Sequence, residues 1–214
     1  MLFRSTENCP EVQGPDLDIG NSPILKTLPG GKRVLLTAAK DGRVVALDPD
    51  NKGAVVWRSN AVPPAPAQPG QNAFQARMGG VVWGGAADDR AAYYGLTGGG
   101  MTALQLTTGE RLWHTPLAKP GQRVNNAAAA TAIPGVAFVG GSDGIVRALQ
   151  TSDGKVIWEY ETAHEYETVN KIPGKGGAIN SAGVTIANGM LYVGSGYAVT
   201  GSNTGNVVLA FSVQ

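Results

Sequence analysis

Ala148-Leu149-Gln150-Thr151-Ser152-Asp153-Gly154-Lys155-Val156-Ile157-Trp158 decides how this chain folds. It reads as the end of one strand, a polar turn closed by glycine, and a β-branched return strand that finishes on a large aromatic ring. The turn supplies side-chain oxygens for nearby N–H groups, and Gly154 tolerates the positive φ of a tight reversal. Two upstream stretches repeat the phrase. Ala103–Trp113 has the same length, with Thr107-Thr108-Gly109 in its turn, while Ala46–Trp57 is one residue longer and turns through Asp48-Pro49-Asp50 to Gly53. A fourth copy opens at Val207-Val208-Leu209-Ala210-Phe211, and the chain stops at Gln214 before a turn or tryptophan. Recurrence of one supersecondary unit along a chain signals a repeat architecture.

Short strands fill the intervals. In the first unit Val34-Leu35-Leu36-Thr37, the turn Lys40-Asp41-Gly42 and Arg43–Leu47 read as a hairpin, with Asp-Gly as its local cue. The second unit runs Met78–Ala86, Ala92–Gly95 and Met101–Leu104. The third runs Ala127–Ile133, Val136–Val139 and Ile145–Leu149, and the fourth Ile179–Val184, Met190–Val193 and Asn206–Val213. Small residues and the following Pro134-Gly135 favour an inner strand over a helix at 126–133. Four prolines between Val62 and Gly70 make that stretch an extended surface connection. Each unit has about four strands in roughly 45 to 60 residues, the size of one propeller blade. The expectation is an all-β chain of about four four-stranded blades with almost no helix. Residues 1–22 form an irregular lead-in, and 23–214 carry the repeats.

Composition narrows the function. With 31 glycines and 13 prolines among 214 residues, many turns are required, and no collagen period is present. Charged residues make up 15% and balance to +1, so no basic stripe exists to neutralise phosphates, and nucleic acid is not an expected partner. No apolar run approaches the ~18 residues of a spanning helix. Cys9 is the only cysteine, which excludes an internal disulfide and a cysteine-based metal cluster. Met1-Leu2-Phe3-Arg4 has no apolar h-region behind it, so a signal peptide is not expected within these residues, and the opening reads like a chain entered mid-domain.

The recurring Ala…Gly…Trp phrase resembles the tryptophan-docking repeat of pyrroloquinoline-quinone (PQQ) dehydrogenase propellers. Glu167-Thr168-Val169-Asn170, Gly176–Gly183, Ala187–Val193 and Trp83-Gly84 look most like the polyvinyl-alcohol-dehydrogenase-like branch of quinoprotein alcohol dehydrogenases. The resemblance implies that these blades are half of an eight-bladed ring, the C-terminal part of a longer enzyme. It also implies PQQ held with Ca²⁺ or a lanthanide, a small or polymeric alcohol as substrate, a cytochrome as electron acceptor, and a periplasmic parent protein. By order along the chain, it makes Asp16 the general base, Asp18 a metal ligand, and Lys40 the cation against the quinone oxygens. Trp83, which departs from the docking pattern, could face the ligand channel or pack in the core.

The residues themselves leave two readings. Positions i and i+2 of an extended segment share a face, so Asp16 and Asp18 can converge on one hard cation. Following Pro15, they can equally serve as turn residues bonding local N–H groups. Lys40 can stabilise developing negative charge or stand as a solvated hairpin lysine. His114, directly after Trp113, suits a surface or interblade role, and His164 a solvated loop. No Cys-x-x-Cys-His, Gly-x-Ser-x-Gly, His-Glu-x-x-His or phosphate loop is present. The competing function is a non-catalytic propeller scaffold, such as those resembling outer-membrane assembly lipoproteins, which needs neither Gly14–Asn21 nor a cation at Lys40. The open blade edges also raise the expectation of self-association, two four-blade halves closing one ring.

Overall fold

The computed structural model describes residues 16–64, 79–119, 121–197 and 203–212. Cys9 and most of the proline-rich connection lie outside them. All regular structure among the described residues is strand. The first sheet is β1 (Ile24–Thr27), β2 (Arg33–Ala38), β3 (Arg43–Asp48) and β4 (Ala54–Asn60). The second is β5 (Gly85–Ala87), β6 (Ala91–Gly95), β7 (Met101–Gln105) and β8 (Arg111–Thr115). The third is β9 (Thr131–Ile133), β10 (Val136–Gly140), β11 (Ile145–Gln150) and β12 (Val156–Glu161). A two-stranded hairpin, β13 (Glu165–Glu167) and β14 (Pro173–Lys175), precedes the fourth sheet. That sheet has three strands: β15 (Thr185–Ala187), β16 (Met190–Ser195) and β17 (Val207–Ser212).

Each sheet is a simple antiparallel meander, its strands pairing in chain order. Short turns allow nothing longer, and this is the order a propeller blade requires. The first strands β1, β5 and β9 lie beside one another, which gathers them on the inner side and leaves β4, β8 and β12 outermost. Strand sequences are apolar on both faces, because each middle sheet is sandwiched between two others. One cluster joins Leu36, Val44 and Ala46 of the first sheet to Ala92, Tyr94 and Leu104 of the second. A second joins Tyr93, Met101 and Ala103 to Ala137, Val139 and Leu149, and a third joins Phe138, Val146 and Ala148 to Val184, Val193 and the fourth sheet.

The quoted phrase has one geometry wherever it is complete. Ala46, Ala103 and Ala148 pair with Trp57, Trp113 and Trp158, and each ladder slips by one residue immediately after the alanine. The turn closes when the N–H of Gly53, Gly109 or Gly154 donates to the carbonyl of Asp48, Gln105 or Gln150, with φ near +74° each time. Two tryptophans then cross to the following sheet. Trp57 donates its indole N–H to the Leu106 carbonyl at 2.8 Å, and Trp113 donates to that of Thr151 at 3.0 Å. Their rings cover Gly109 and Gly154 so closely that a Cβ on either would stand 2.5 Å from the ring. Trp158 differs: it is 37% exposed, stacked on Tyr160 and edge-on to Phe211 of β17.

The first strand of each later unit is shorter than the sequence suggests. Residues 127–130 and 179–184 lie outside their sheets although most are buried. Their backbone groups pair with neighbouring units: Ala129 N–H bonds the Ser181 carbonyl and Ala130 N–H the Gly84 carbonyl. Small side chains permit this close passage of one backbone against the next.

Candidate functional site

The segments leading into the sheets and the hairpin turns between second and third strands share one end of the molecule. A belt of backbone hydrogen bonds ties them together. Within a unit, Lys40 N–H donates to the Asp18 carbonyl, Thr97 to Gly80, Ser142 to Asn125 and Gly196 to Ala178. Between units, Gly80 N–H donates to the Lys40 carbonyl, Asn126 to Leu96 and Ile179 to Gly141. Glycine is required where this belt is tightest: a Cβ on Gly80 would meet the backbone of Gly42 and Lys40 at 2.1–2.6 Å.

Asp16, Asp18 and Lys40 come together on this end. Lys40 Nζ stands 2.8 Å from Asp16 Oδ2 and 2.8 Å from Asp18 Oδ1. The extended segment puts both carboxylates on one side, and Asn21 fixes it by donating Nδ2 to the Ala38 carbonyl at 2.8 Å. Both carboxylates face solvent, and the Lys40 stem is the most covered of the three side chains. The hydrogen bond to Asp16, then that to Asp18, raises the lysine pKa above its ordinary value. A recess of about 320 Å³ lies against the segment, lined by Leu17, Asp18, Ile19, Thr37, Val45 and neighbouring residues. Trp83 stands on the adjacent lead-in segment, 44% exposed, next to Val82, whose carbonyl would lie 3.2 Å from a Cβ on Gly20. It belongs to the same rim without joining the ion cluster.

His114 is an interblade residue. Its Nδ1 lies 2.9 Å from Thr102 Oγ1, whose hydroxyl donates to the Ala61 carbonyl at 2.8 Å. His164 lies at the root of the β13–β14 hairpin, its ring against Tyr166. Sequence reading missed that hairpin, and it missed two buried polar contacts that pin the belt. Fully buried Asn126 donates Nδ2 to the Gly140 carbonyl and accepts from Gly100 N–H. Buried Thr162 and Ser195 share a hydroxyl–hydroxyl bond of 2.6 Å while Ser195 Oγ accepts from Gly177 N–H. Their signal was positional: Gly80, Asn125 and Ala178 each accept from the hairpin turn of their own unit, and a glycine or asparagine pair lies at or beside each of them.

These features define a propeller repeat protein with an ionic rim at one end. The chain belongs to the PQQ_2 family, described as outer membrane protein assembly factor BamB, which matches residues 20–136 and 98–212. Over 97% of its length it is similar to a polyvinylalcohol dehydrogenase of a Pseudomonas species, at 41% identity, and to one of Sphingopyxis sp. strain 113P3, at 36%. In each case it spans 34% of the relative, so it corresponds to about a third of those proteins. In fold it is similar to the quinohemoprotein alcohol dehydrogenase of Comamonas testosteroni, at a TM-score of 0.57 and 17% identity, covering 85% of this chain and 30% of that one.

A quinone cofactor with a hard cation can be tested against this rim. The charges have the right kind: two carboxylates for a cation, one ammonium for quinone oxygens. Their number is too small for a complete site. Hard cations take six or more oxygens, and among the described residues no cluster of three or more His, Cys, Asp or Glu stands ready to hold a metal. The rim fits the cofactor as one wall of a pocket.

Proposed function

We propose that this chain is the cofactor-rim part of a PQQ-dependent dehydrogenase that oxidises alcohols, polymeric ones included. The convergence of Asp16 and Asp18 on Lys40 at one propeller end supports the reading, because a scaffold has no need for it. PQQ, when bound, would supply the quinone that accepts the carbon-bound hydrogen of the alcohol together with its two electrons. Asp16 takes the hydroxyl proton, a task for which an ionised carboxylate within hydrogen-bond reach suffices once the hydroxyl is activated. Asp18 would be one ligand of Ca²⁺ or a lanthanide, and Lys40 would face the quinone oxygens and offset negative charge developing there. Trp83 offers a flat apolar surface along the rim. The parent protein works in the periplasm and passes its electrons to a cytochrome. One wall being too few ligands, the isolated 214 residues turn over little or no alcohol.

The test is a titration of PQQ with Ca²⁺ or La³⁺ into the chain, followed by quinone absorbance and by thermal shift. Metal-dependent binding is expected, weakened at least tenfold by Lys40→Met and made metal-independent by Asp18→Asn. Absence of any spectral or thermal response at saturating PQQ and metal would favour the scaffold.

A further inference from the structure

Between Asp16 and Pro23 the chain runs outside any strand, and only Leu17 and Asn21 are not exposed. It leaves the sheet for a covalent reason. The β1–β2 register sets Ile24 opposite Leu36, and continued backward it would put Pro23 beside Thr37 and Ser22 beside Ala38. Proline has no N–H to give a ladder. β1 therefore begins at Ile24, and no strand pairing among the described residues holds the segment before it.

Asn21 takes over at that point. Its Nδ2 donates to the carbonyl of Ala38, the last residue of β2, at 2.8 Å. The third unit makes the corresponding bond, where Asn126 Nδ2 donates to the carbonyl of Gly140, the last residue of β10, at 3.1 Å. Ala38 and Gly140 each stand two residues before the turn residue, Lys40 or Ser142, whose N–H reaches back to its own lead-in. An asparagine amide thus ties two lead-ins to the same place in their sheets. What each tie holds differs. Asn126 is fully buried, and its Oδ1 accepts from Gly100 N–H of the preceding unit. Asn21 is half-buried and lies three residues beyond Asp18, whose carbonyl accepts from Lys40 N–H and whose carboxylate stands 2.8 Å from Lys40 Nζ.

We infer, resting on the reading of the rim as one wall of a PQQ pocket, that Asn21 is its positioning residue: the amide holds the lead-in against β2 so that Asp16 and Asp18 meet Lys40. Exposed ion pairs are weak and fix long side chains poorly, so the ammonium alone does not hold two carboxylates carried on unpaired backbone. A directional bond from a half-buried amide to a backbone carbonyl does. Gly20 makes room for it. A Cβ there would stand 3.2 Å from the Val82 carbonyl, so the segment passes closely over the second unit just before Asn21. Without the amide the segment is loose at its sheet end and the two carboxylates spread. A cation or quinone then meets them less often in the geometry it needs.

Asn21→Ala tests this by hydrogen exchange of single amides, followed by NMR on the 214-residue chain. Lys40 N–H, bonded to the Asp18 carbonyl, should exchange about fivefold faster, the worth of one such bond. Thr97 and Ser142, which make the same bond to Gly80 and Asn125, should exchange as in the wild type. A general loss of stability would speed all three, so the difference separates positioning from a purely structural role. Titrated with PQQ and La³⁺, the variant should bind about fivefold more weakly than the wild type. Unchanged exchange at Lys40 overturns the inference, as does an equal rise at Thr97 and Ser142, or loosening at Lys40 with PQQ affinity unchanged. A wild type that answers to neither PQQ nor La³⁺ sinks the functional reading instead, and exchange at Lys40 then decides alone whether Asn21 sets the ion cluster.

Discussion

The tryptophan contacts between sheets and the ionic rim at the end of the propeller are built from opposite materials. At the contacts, Trp57 and Trp113 bury large rings on glycine turns and spend their one polar hydrogen on a backbone carbonyl. At the rim, three charged side chains meet in solvent on a short irregular segment and a two-residue turn. Burial of aromatic surface fixes the fold, whereas exposed ion pairs add little to stability and are free to serve chemistry. Substitutions should therefore separate the two: large changes in stability with no effect on ligands at one, the reverse at the other.

The sharpest way to break the comparison lies in the turn glycines. Gly53, Gly109 and Gly154 share a positive φ, yet only the last two sit under a tryptophan; nothing stands within 4 Å of a Cβ on Gly53. Gly109→Ala and Gly154→Ala must displace the ring as well as strain the backbone, and should each cost about 3–5 kcal/mol in urea unfolding. Gly53→Ala should cost only the left-handed backbone penalty, about 1 kcal/mol. Equal losses at all three would mean that the ring contacts contribute nothing.

Next in size, Trp113→Ala should destabilise by about 3–5 kcal/mol, as truncation of a buried tryptophan does. Trp158→Ala, at a ring more than one-third exposed, should cost about half as much. At the rim, Lys40→Ala should change unfolding free energy by less than about 1 kcal/mol, while PQQ and metal binding falls. A stability loss as large as that of Trp113→Ala would make Lys40 a structural residue and remove the contrast.

The sequence carried the buried half of this comparison further than the exposed half. The phrase ending at Trp57, Trp113 and Trp158 repeats because each copy solves the same packing problem, so period, strand order and turn glycines can be read from residues alone. The lead-in segments could not be read that way. Residues 127–130 look like a strand because they are small and partly followed by β-branched residues, but their hydrogen bonds run to other units through Ser181 and Gly84, and non-local pairing leaves no local period. The β13–β14 hairpin was hidden for a related reason: Glu165-Tyr166-Glu167 reads as a charged loop until Pro173-Gly174-Lys175 returns beside it. Asp16, Asp18 and Lys40 are 22 or more residues apart across the cluster, and only the belt bond from Lys40 N–H to the Asp18 carbonyl brings them into register. Their chemistry was suggested by resemblance, and their meeting is a product of the fold.

The smallest effect tests the boundary between the two regions, at His114. Thr102 spends its hydroxyl hydrogen on the Ala61 carbonyl, so the neutral imidazole donates Nδ1–H to Thr102 Oγ1. Burial, and then the nearby Arg111 charge, lowers the histidine pKa below its ordinary value near 6.5. The unfolded chain consequently binds a proton at a higher pH than the folded one. Stability should be flat above about pH 7 and decline as pH falls through the unfolded value, until the folded histidine also protonates. Urea unfolding at about pH 7.5 and about pH 5.5 measures the slope. His114→Asn, which can still donate to Thr102, should flatten it while preserving the neutral-pH stability to within about 1 kcal/mol. An unchanged slope in that variant would place the proton uptake elsewhere and leave the His114–Thr102 contact a matter of packing alone.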